Sequence, residues 1–368
     1  MPLISDDSND ECTESTRSGL EKQAPTLVVI GSPFYNKGRE NFLKKLTLVL
    51  SEVCSKVHVI GASQPVDKNN VSWEKVQVPR ENSQLIRYRD FLFSQLRSVH
   101  FTRNIEPDFV LIRNTFSIIP ATYMRFFGPH SATFVTQKTP NVWKNKLSLF
   151  TILASESVIV EAPSVLEEWT DKVEHKSVIG ATFVDKNKFY KINSISSRDK
   201  AIGYLGGIDQ RKGILRLIES VNDLSTEFPE LRICGSGPQK NIVEKRTKNV
   251  GNIQYKGYIP DSELIGFYNN IRLLVLPTKS EGLPNVALEA MACGTPVLAP
   301  PVGGIPDLID DGKNGFILES RSVEDIRKGI VRAYNSEKLD KISEEASETI
   351  REKYTFERAV KRYEEMLY

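Results

Sequence analysis

The sequence predicts an α/β protein made of two doubly wound domains in tandem, facing each other across a cleft. Three observations predict it. The chain has 368 residues, which is length for about two domains with real cores. From Pro25 onward, short β-branched runs alternate with longer amphipathic stretches, the mark of repeated βα units on a parallel sheet. That alternation breaks once, around residues 183–199, and then resumes.

Residues 1–24 are acidic and hydroxyl-rich and lack the apolar content that would offset the entropy of ordering them, so they read as a disordered tail. The runs TLVVI (26–30), KVHVIGA (56–62), DFVLIR (108–113), ATFVT (132–136) and SVIVEA (157–162) are the expected strands of a first domain, residues 25–183. Between them, NFLKKLTLVLSEV and SQLIRYRDFLFSQLRSVHF carry apolar residues at three- and four-residue spacing, so each can bury one helical face. The polar, aperiodic stretch FVDKNKFYKINSISSRDK is the expected interdomain boundary. A second domain, residues 184–353, follows with KAIGYLGG, ELRICGSG, NIQYKGY, RLLVLPT, PVLAP and NGFIL as strands. The closing segment, residues 354–368, sets Phe356, Val360, Tyr363 and Leu367 on one face, which predicts a helix docking back toward the first domain.

Composition narrows the function. Lys and Arg number 49 against 47 Asp and Glu, a net charge of +2, which is too balanced for a protein that wraps a nucleic-acid backbone. Four cysteines, at 12, 54, 234 and 293, show neither disulfide nor zinc-ligand spacing and read as reduced thiols in the cytoplasm. No run reaches the roughly 18 apolar residues that span a bilayer, and the amino terminus has no apolar signal core. The segment SQLIRYRDFLFSQLRSVHFTR leaves two readings open. Its mixture of Arg87, Arg89, Arg97 and Arg103 with Phe91, Phe93 and Phe101 suits either a packed helix with a basic outer face or contact with the cytoplasmic face of an anionic membrane.

Open α/β sheets bind ligands beyond the carboxyl ends of their strands, so the strand-to-helix loops are where chemistry is expected. Residues 272–318 read as strand, loop, helix, strand, loop, helix, strand. The first helix is expected to start at Pro284 or just after an Asn285 cap and to end at Gly294, with Pro296 preventing continuation. Its alanines, at 287, 290 and 292, keep it slim, so a ligand can approach the unpaired N–H groups of its first turn, an anion site suited to phosphate. Glu281 and Glu289 bracket that helix start. The carboxyls of a retaining glycosidase stand about 5.5 Å apart, whereas Glu289 lies roughly 6 Å along the axis from Asn285 alone. The two are therefore expected to grip different hydroxyls of one elongated ligand. A solvated helical carboxylate is the bland alternative for Glu289.

A second loop, YLGGIDQRKG, puts Arg211 and Lys212 at a helix start, where two cations meet the positive end of the helix. That misfit favours an anionic ligand over a solvated pair. The GSGP turn at 235–238 and Gly31 after the first strand are weaker signals. GxGxxG is absent, so no dehydrogenase is indicated, and no two aspartates stand at i, i+2, so no metal clamp is indicated either.

Taken together, GGIDQRKG, LRICGSGPQ, NIQYKGYIPDSEL, SEGLPNVALEAMACGTPVLAPPVGGIPDLIDDGKNGFIL and the terminal TFERAVKRYEEMLY resemble the family 4 glycosyltransferases, retaining enzymes of the GT-B fold, in which two Rossmann-like domains face each other. The match covers the second domain; in the first, only the layout and IVEAPSVLEEW are similar. The resemblance implies a sugar moved from a nucleoside-diphosphate sugar, as co-substrate, to a glycan or lipid-linked acceptor, with no cofactor or metal. It implies that Glu281 and the main chain of Gly282 and Leu283 hold the donor sugar. Lys212, with Asn285 and Val286 at the helix start, would hold the pyrophosphate, and Glu289 the ribose. Ile259 would edge the base, and Gly235 and Gly237 would pass beneath the nucleotide. Two positions depart from the family pattern. Gly207 stands where an arginine is common, with Arg211 as a substitute, and Gln137 and Lys138 stand where many members place a histidine near the sugar. Gly31 and Gln137 are the acceptor-side candidates. Two other readings stay open. A sugar-nucleotide epimerase would need acid and base groups in the cleft, with histidines only at 58, 100, 130 and 175. A non-catalytic subunit would keep the nucleotide fold to bind a partner enzyme.

Overall fold

The computed structural model describes residues 24–33, 37–76, 84–113, 117–135, 142–167, 169, 177–180, 182–222, 229–248 and 250–368. Residues 1–23 of the expected tail, together with Gln137, Lys138 and His175, lie outside the described residues.

Two parallel sheets organise the chain. The first has seven strands in the order β3-β2-β1-β4-β5-β6-β7. They are β1 (Thr26–Ile30), β2 (Lys56–Gly61), β3 (Val71–Lys75), β4 (Phe109–Ile112), β5 (His130–Val135), β6 (Ser157–Val160) and β7 (Ser177–Ile179). Five match the sequence reading. β3, VSWEK, and β7, SVI, are additions at the two edges, too short or too polar to stand out as buried runs. The second sheet has six strands in the order β10-β9-β8-β11-β12-β13. These are β8 (Ala201–Leu205), β9 (Glu230–Cys234), β10 (Ile253–Gly257), β11 (Leu273–Val275), β12 (Val297–Ala299) and β13 (Phe316–Ile317), and each falls inside a run expected from sequence.

Strand alternation decides which helices cover which face. Leu27, Val29, Val57, Val59 and Leu111 point to a core built with Leu43, Leu46 and Leu50 of α1 (Lys37–Val53). Val28, Ile30, Val110 and Ile112 point to the other side, against Met124 of α3 (Ile118–Phe127) and Phe101 of α2 (Gln84–Ile105). Farther along that side, Ile152 of α4 (Val142–Ala154) packs on Val158 and Val160. A short α5 (Ser164–Glu167) follows β6.

The second sheet is sandwiched the same way by α6 (Ile214–Asn222), α7 (Lys240–Thr247), α8 (Leu264–Asn270), α9 (Asn285–Ala292), α10 (Ile305–Leu308), α11 (Val323–Tyr334) and α12 (Leu339–Lys353). Ile214, Leu217 and Ile326 are buried on one side, and Leu288, Met291 and Ile350 on the other. Each such side chain contributes about 1.5–3 kcal/mol by leaving water.

The last helix, α13 (Phe356–Leu367), is capped by Thr355 accepting from the Arg358 N–H. It crosses to the first sheet, where Ala359 and Tyr363 join the Leu27 and Leu46 core. The polar linker is anchored by Arg198. Its buried guanidinium donates to the carbonyls of Asn193, Tyr268, Ile271 and Cys293 and to the Thr295 hydroxyl. Burial pulls that guanidinium down to about 10, but the five acceptors satisfy its donors. Cys54, Cys234 and Cys293 are free and buried, and burial pushes the Cys293 thiol up to about 12, which makes it inert.

Candidate active site

The strand order of the second sheet reverses between β8 and β11, and the loops leaving those two strands converge there. After β8, Asp209 caps a 3-10 turn, Gln210–Lys212, by accepting from the Lys212 N–H at 3.0 Å. The Tyr204 hydroxyl holds Gly207 through its carbonyl at 2.6 Å. Gly213 then turns the chain into α6 at a left-handed φ of 74°. A Cβ there would lie 2.3 Å from the Pro277 carbonyl oxygen, so the position needs glycine on two counts.

That close approach zips the two loops together. The Lys279 N–H donates to the Arg211 carbonyl and the Arg211 guanidinium to the Ser280 carbonyl, both at 2.8 Å. The Lys212 ammonium is hydrogen-bonded to the Glu281 carboxylate, and Arg211 stands 3.8 Å from the same carboxylate. The charge misfit read from sequence at Arg211 and Lys212 is therefore answered within the chain: Glu281 supplies the anion. Lys212 and Glu281, expected to hold different parts of a ligand, meet each other here.

Helix α9 begins at Asn285 with Pro284 in the capping position and no side-chain cap. The Asn285 side chain is used elsewhere, since its Oδ1 accepts from the Lys45 ammonium of α1 at 3.0 Å. A turn further on, Glu289 accepts a hydrogen bond from the Tyr268 hydroxyl at 2.9 Å. Burial holds the Glu289 carboxyl above its ordinary value, with Lys45 and Tyr268 pulling the other way. Glu289 is thus a half-buried, partnered carboxylate, not a solvated one. Val286 and Ile259 pack partly buried on the core around Leu283 and Leu288. The remaining glycines have a structural job: a Cβ on Gly235 would overlap the Gly206 carbonyl, and one on Gly237 would lie 2.5 Å from the Ile208 carbonyl oxygen. The turn after β9 is packed directly on the loop after β8.

Two residues of the first domain that the sequence reading missed reach this site. Glu161, just after β6, hydrogen-bonds the Leu283 N–H, and a Cβ on Gly282 would lie 3.2 Å from its carboxylate. Burial pushes its carboxyl up, against the pull of Arg113, the Leu283 N–H and Lys45. Lys45 donates to the Phe183 carbonyl at 2.8 Å as well as to Asn285, and burial draws its ammonium down against the attraction of Glu289 and Glu161. A carboxylate at the carboxyl end of a parallel strand was the available signal for Glu161. Lys45, beside Lys44 on an amphipathic helix, carried none. Farther out, Ser164 donates to Asp307 at 2.6 Å across the same interface.

Gly31 is buried against Ile60 and Gly61 within the first domain. The histidines that an epimerase could use sit elsewhere. His58 pairs with Ser72, His130 with Glu156, and His100 lies exposed on α2, so among the described residues none of these three is part of the convergence at α9.

Comparisons with known proteins agree with this layout. Residues 185–351 match the family model of the group 1 glycosyl transferases. An uncharacterised glycosyltransferase of Methanocaldococcus jannaschii is 27% identical over 219 residues, which is 58% of this chain and 60% of that protein. The chain thus aligns with about 60% of the length of that curated relative. Among solved structures, a sucrose-phosphate synthase of Thermosynechococcus elongatus superposes with a TM-score of 0.79 at 15% identity, covering 93% of this chain and 98% of that one. HepE of Anabaena, solved in complex with UDP, gives 0.76 at 14% identity over 93% and 99%. At such identities the likeness establishes the fold, which is GT-B.

Proposed function

We propose that the protein is a metal-independent, retaining glycosyltransferase that moves a sugar from a nucleoside-diphosphate sugar to a glycan or lipid-linked acceptor at the cytoplasmic side of the cell. Residues 184–353 hold the donor, residues 25–183 meet the acceptor, and residues 354–368 tie the two together. The observation that carries this reading is the gathering of Lys212, Glu281 and the start of α9 at the strand-order reversal, with half-buried Glu289 one turn away. HepE, of the same fold, was solved with UDP bound.

The chemistry follows from the charges. The Lys212–Glu281 pair is an exchangeable clasp. A diphosphate takes the ammonium, and the freed carboxylate accepts from hydroxyls of the donor sugar, so neither charge is left unpaired when the ligand enters. The main-chain N–H groups at Asn285 and Val286 share the diphosphate charge, and Glu289 accepts from the ribose hydroxyls. Gly207 adds no cation, so Arg211, now bonded to the Ser280 carbonyl, is the second guanidinium within reach. As the bond from the anomeric carbon to the phosphate oxygen breaks, negative charge grows where Lys212 and the helix terminus stand ready. The acceptor oxygen bonds to the same face of that carbon, and its proton passes to the leaving phosphate oxygen. Domain closure over the loops, through Lys45 and Glu161, keeps out the water that would hydrolyse the donor.

Incubation with UDP-, GDP- and ADP-sugars, following nucleotide release with and without glycan and lipid-linked acceptors, tests this. We expect acceptor-stimulated release with one donor and a loss of about 10²-fold or more in Glu281→Ala. Tight nucleotide-sugar binding with no release, unaltered by Glu281→Ala, would instead make the chain a non-catalytic subunit.

A further inference from the structure

Helices α2 and α4, on one side of the first sheet, bury several hydroxyls and leave large apolar side chains exposed. Helix α2 buries Ser94, Gln95, Ser98 and Thr102 against the domain and exposes Leu92, Phe93 and Leu96, each more than half accessible to solvent. Helix α4 buries Ser148 and Thr151 beside Ile152, with buried Ser155 just past its end, and exposes Leu147, Phe150 and Leu153. Helix α3 packs between them and ends on Phe126 and Phe127, at 72% and 79% exposure. The inward hydroxyls cost little where they bond the preceding helical turn: Ser98 donates to the Ser94 carbonyl, Thr102 to that of Ser98, and Ser155, just past α4, to that of Thr151, at 2.9, 2.7 and 3.0 Å. The outward side chains have no such account in water. A single exposed leucine is ordinary, but exposed leucines and phenylalanines gathered on three neighbouring helices mark an interaction surface.

We propose that this face seats the protein on an anionic lipid bilayer. Charge selects that occupant. The sequence of the three helices carries seven Lys and Arg and one acidic residue, Asp90, in a chain whose net charge is only +2. Apolar side chains enter the acyl boundary while long basic side chains lie at the headgroups, the division an interfacial surface requires. A second copy of this chain would set two basic faces against each other, which disfavours a symmetric dimer. Arg103 and Arg125 are exposed on these helices, where headgroup phosphates would meet them. The surface stands on exposure and charge alone; only the further step, that a lipid-linked acceptor reaches the cleft from this membrane, rests on the proposed transferase reading.

Flotation of the full chain with vesicles separates the possibilities without an activity readout. The protein should float with phosphatidylcholine vesicles containing phosphatidylglycerol, float far less with phosphatidylcholine alone, and be released by high salt. Phe93→Ser with Phe126→Ser and Phe150→Ser should weaken binding about tenfold or more, with the melting temperature held, because all three side chains are exposed. Arg103→Glu with Arg125→Glu should weaken it as well, leaving the apolar face intact, and stands as the test should the serine variant not fold. Lys212→Ala, in the donor loop, should float like the wild type. Failure of the wild type to float with either vesicle would overturn the proposal. So would concentration-dependent self-association abolished by the serine substitutions, which would make the face a homo-oligomer contact.

Discussion

The two domains share one architecture and use it in opposite ways. Around the second sheet, charge is drawn inward: Lys212, Glu281, Glu289 and Arg198 are partly or wholly buried, and each is matched by a named partner. In the first, α2 and α4 turn several hydroxyls inward, and α2 to α4 leave leucines and phenylalanines outward. A buried charge needs partners held at fixed positions. The second domain meets that demand with loops locked by backbone contacts at Gly213 and Gly235. An outward apolar face makes no such demand on the fold, because water or lipid adapts to it. The first arrangement suits recognition of a small charged ligand of fixed shape, and the second suits a broad and fluid partner.

The strongest test of this contrast is Lys212→Ala. If Lys212 stabilises a leaving diphosphate as proposed, its removal should lower kcat by about 10²–10³-fold, while the melting temperature shifts by no more than about 2–4 °C, since Arg211 remains beside Glu281. An equal loss of kcat in Phe93→Ser, assayed with a soluble acceptor, would break the division of labour.

Next in size is Gly213→Ala. The added Cβ meets the Pro277 carbonyl oxygen at 2.3 Å in a left-handed backbone, which should cost about 2–3 kcal/mol and show as a melting shift of about 5–10 °C. Gly31→Ala, where a Cβ would find the Ile60 carbonyl oxygen at an ordinary 3.4 Å, should cost about 1 kcal/mol or less. Comparable losses at the two positions would mean that the loops after β8 and β11 are no more tightly locked than the first domain.

The smallest effect belongs to the interface between the domains. Burial raises the Glu161 carboxyl above its ordinary 4.5, so desolvation outweighs the pull of Arg113, Lys45 and the Leu283 N–H. Folded protein therefore binds more protons than unfolded protein above pH 4.5, and this group favours folding less as pH rises through its elevated range. Glu161→Gln keeps an oxygen for the Leu283 N–H and does not titrate. Its melting temperature should exceed that of the wild type at pH 8, by the equivalent of about 1 kcal/mol, with the difference shrinking toward pH 4.5. A difference that grows as pH falls would reverse the sign and show that Arg113 and Lys45 dominate.

Much of this was legible in the sequence. The central strands could be read because they are buried on both faces and so appear as unbroken β-branched runs such as TLVVI and RLLVL. β3 and β7 could not, because VSWEK is half polar and SVI is only three residues long. Glu281, Lys212 and Glu289 were legible because glycine, proline and small residues around them record how closely the loops approach. Their mutual pairing was not, since Lys212 and Glu281 are 69 positions apart.

By itself the sequence determined the repeat of βα units, the break between two domains, and the loops that carry Lys212 and Glu281, because periodicity and loop chemistry are local properties. Only the tertiary structure decided that Lys212 is neutralised by Glu281, that Lys45 and Glu161 reach across from the first domain, and that α2 and α4 leave leucines and phenylalanines outward. Each of those depends on which face meets which neighbour. Amphipathic spacing fixes that a helix has two faces, but the sheet beneath it and the helices beside it choose which one is buried.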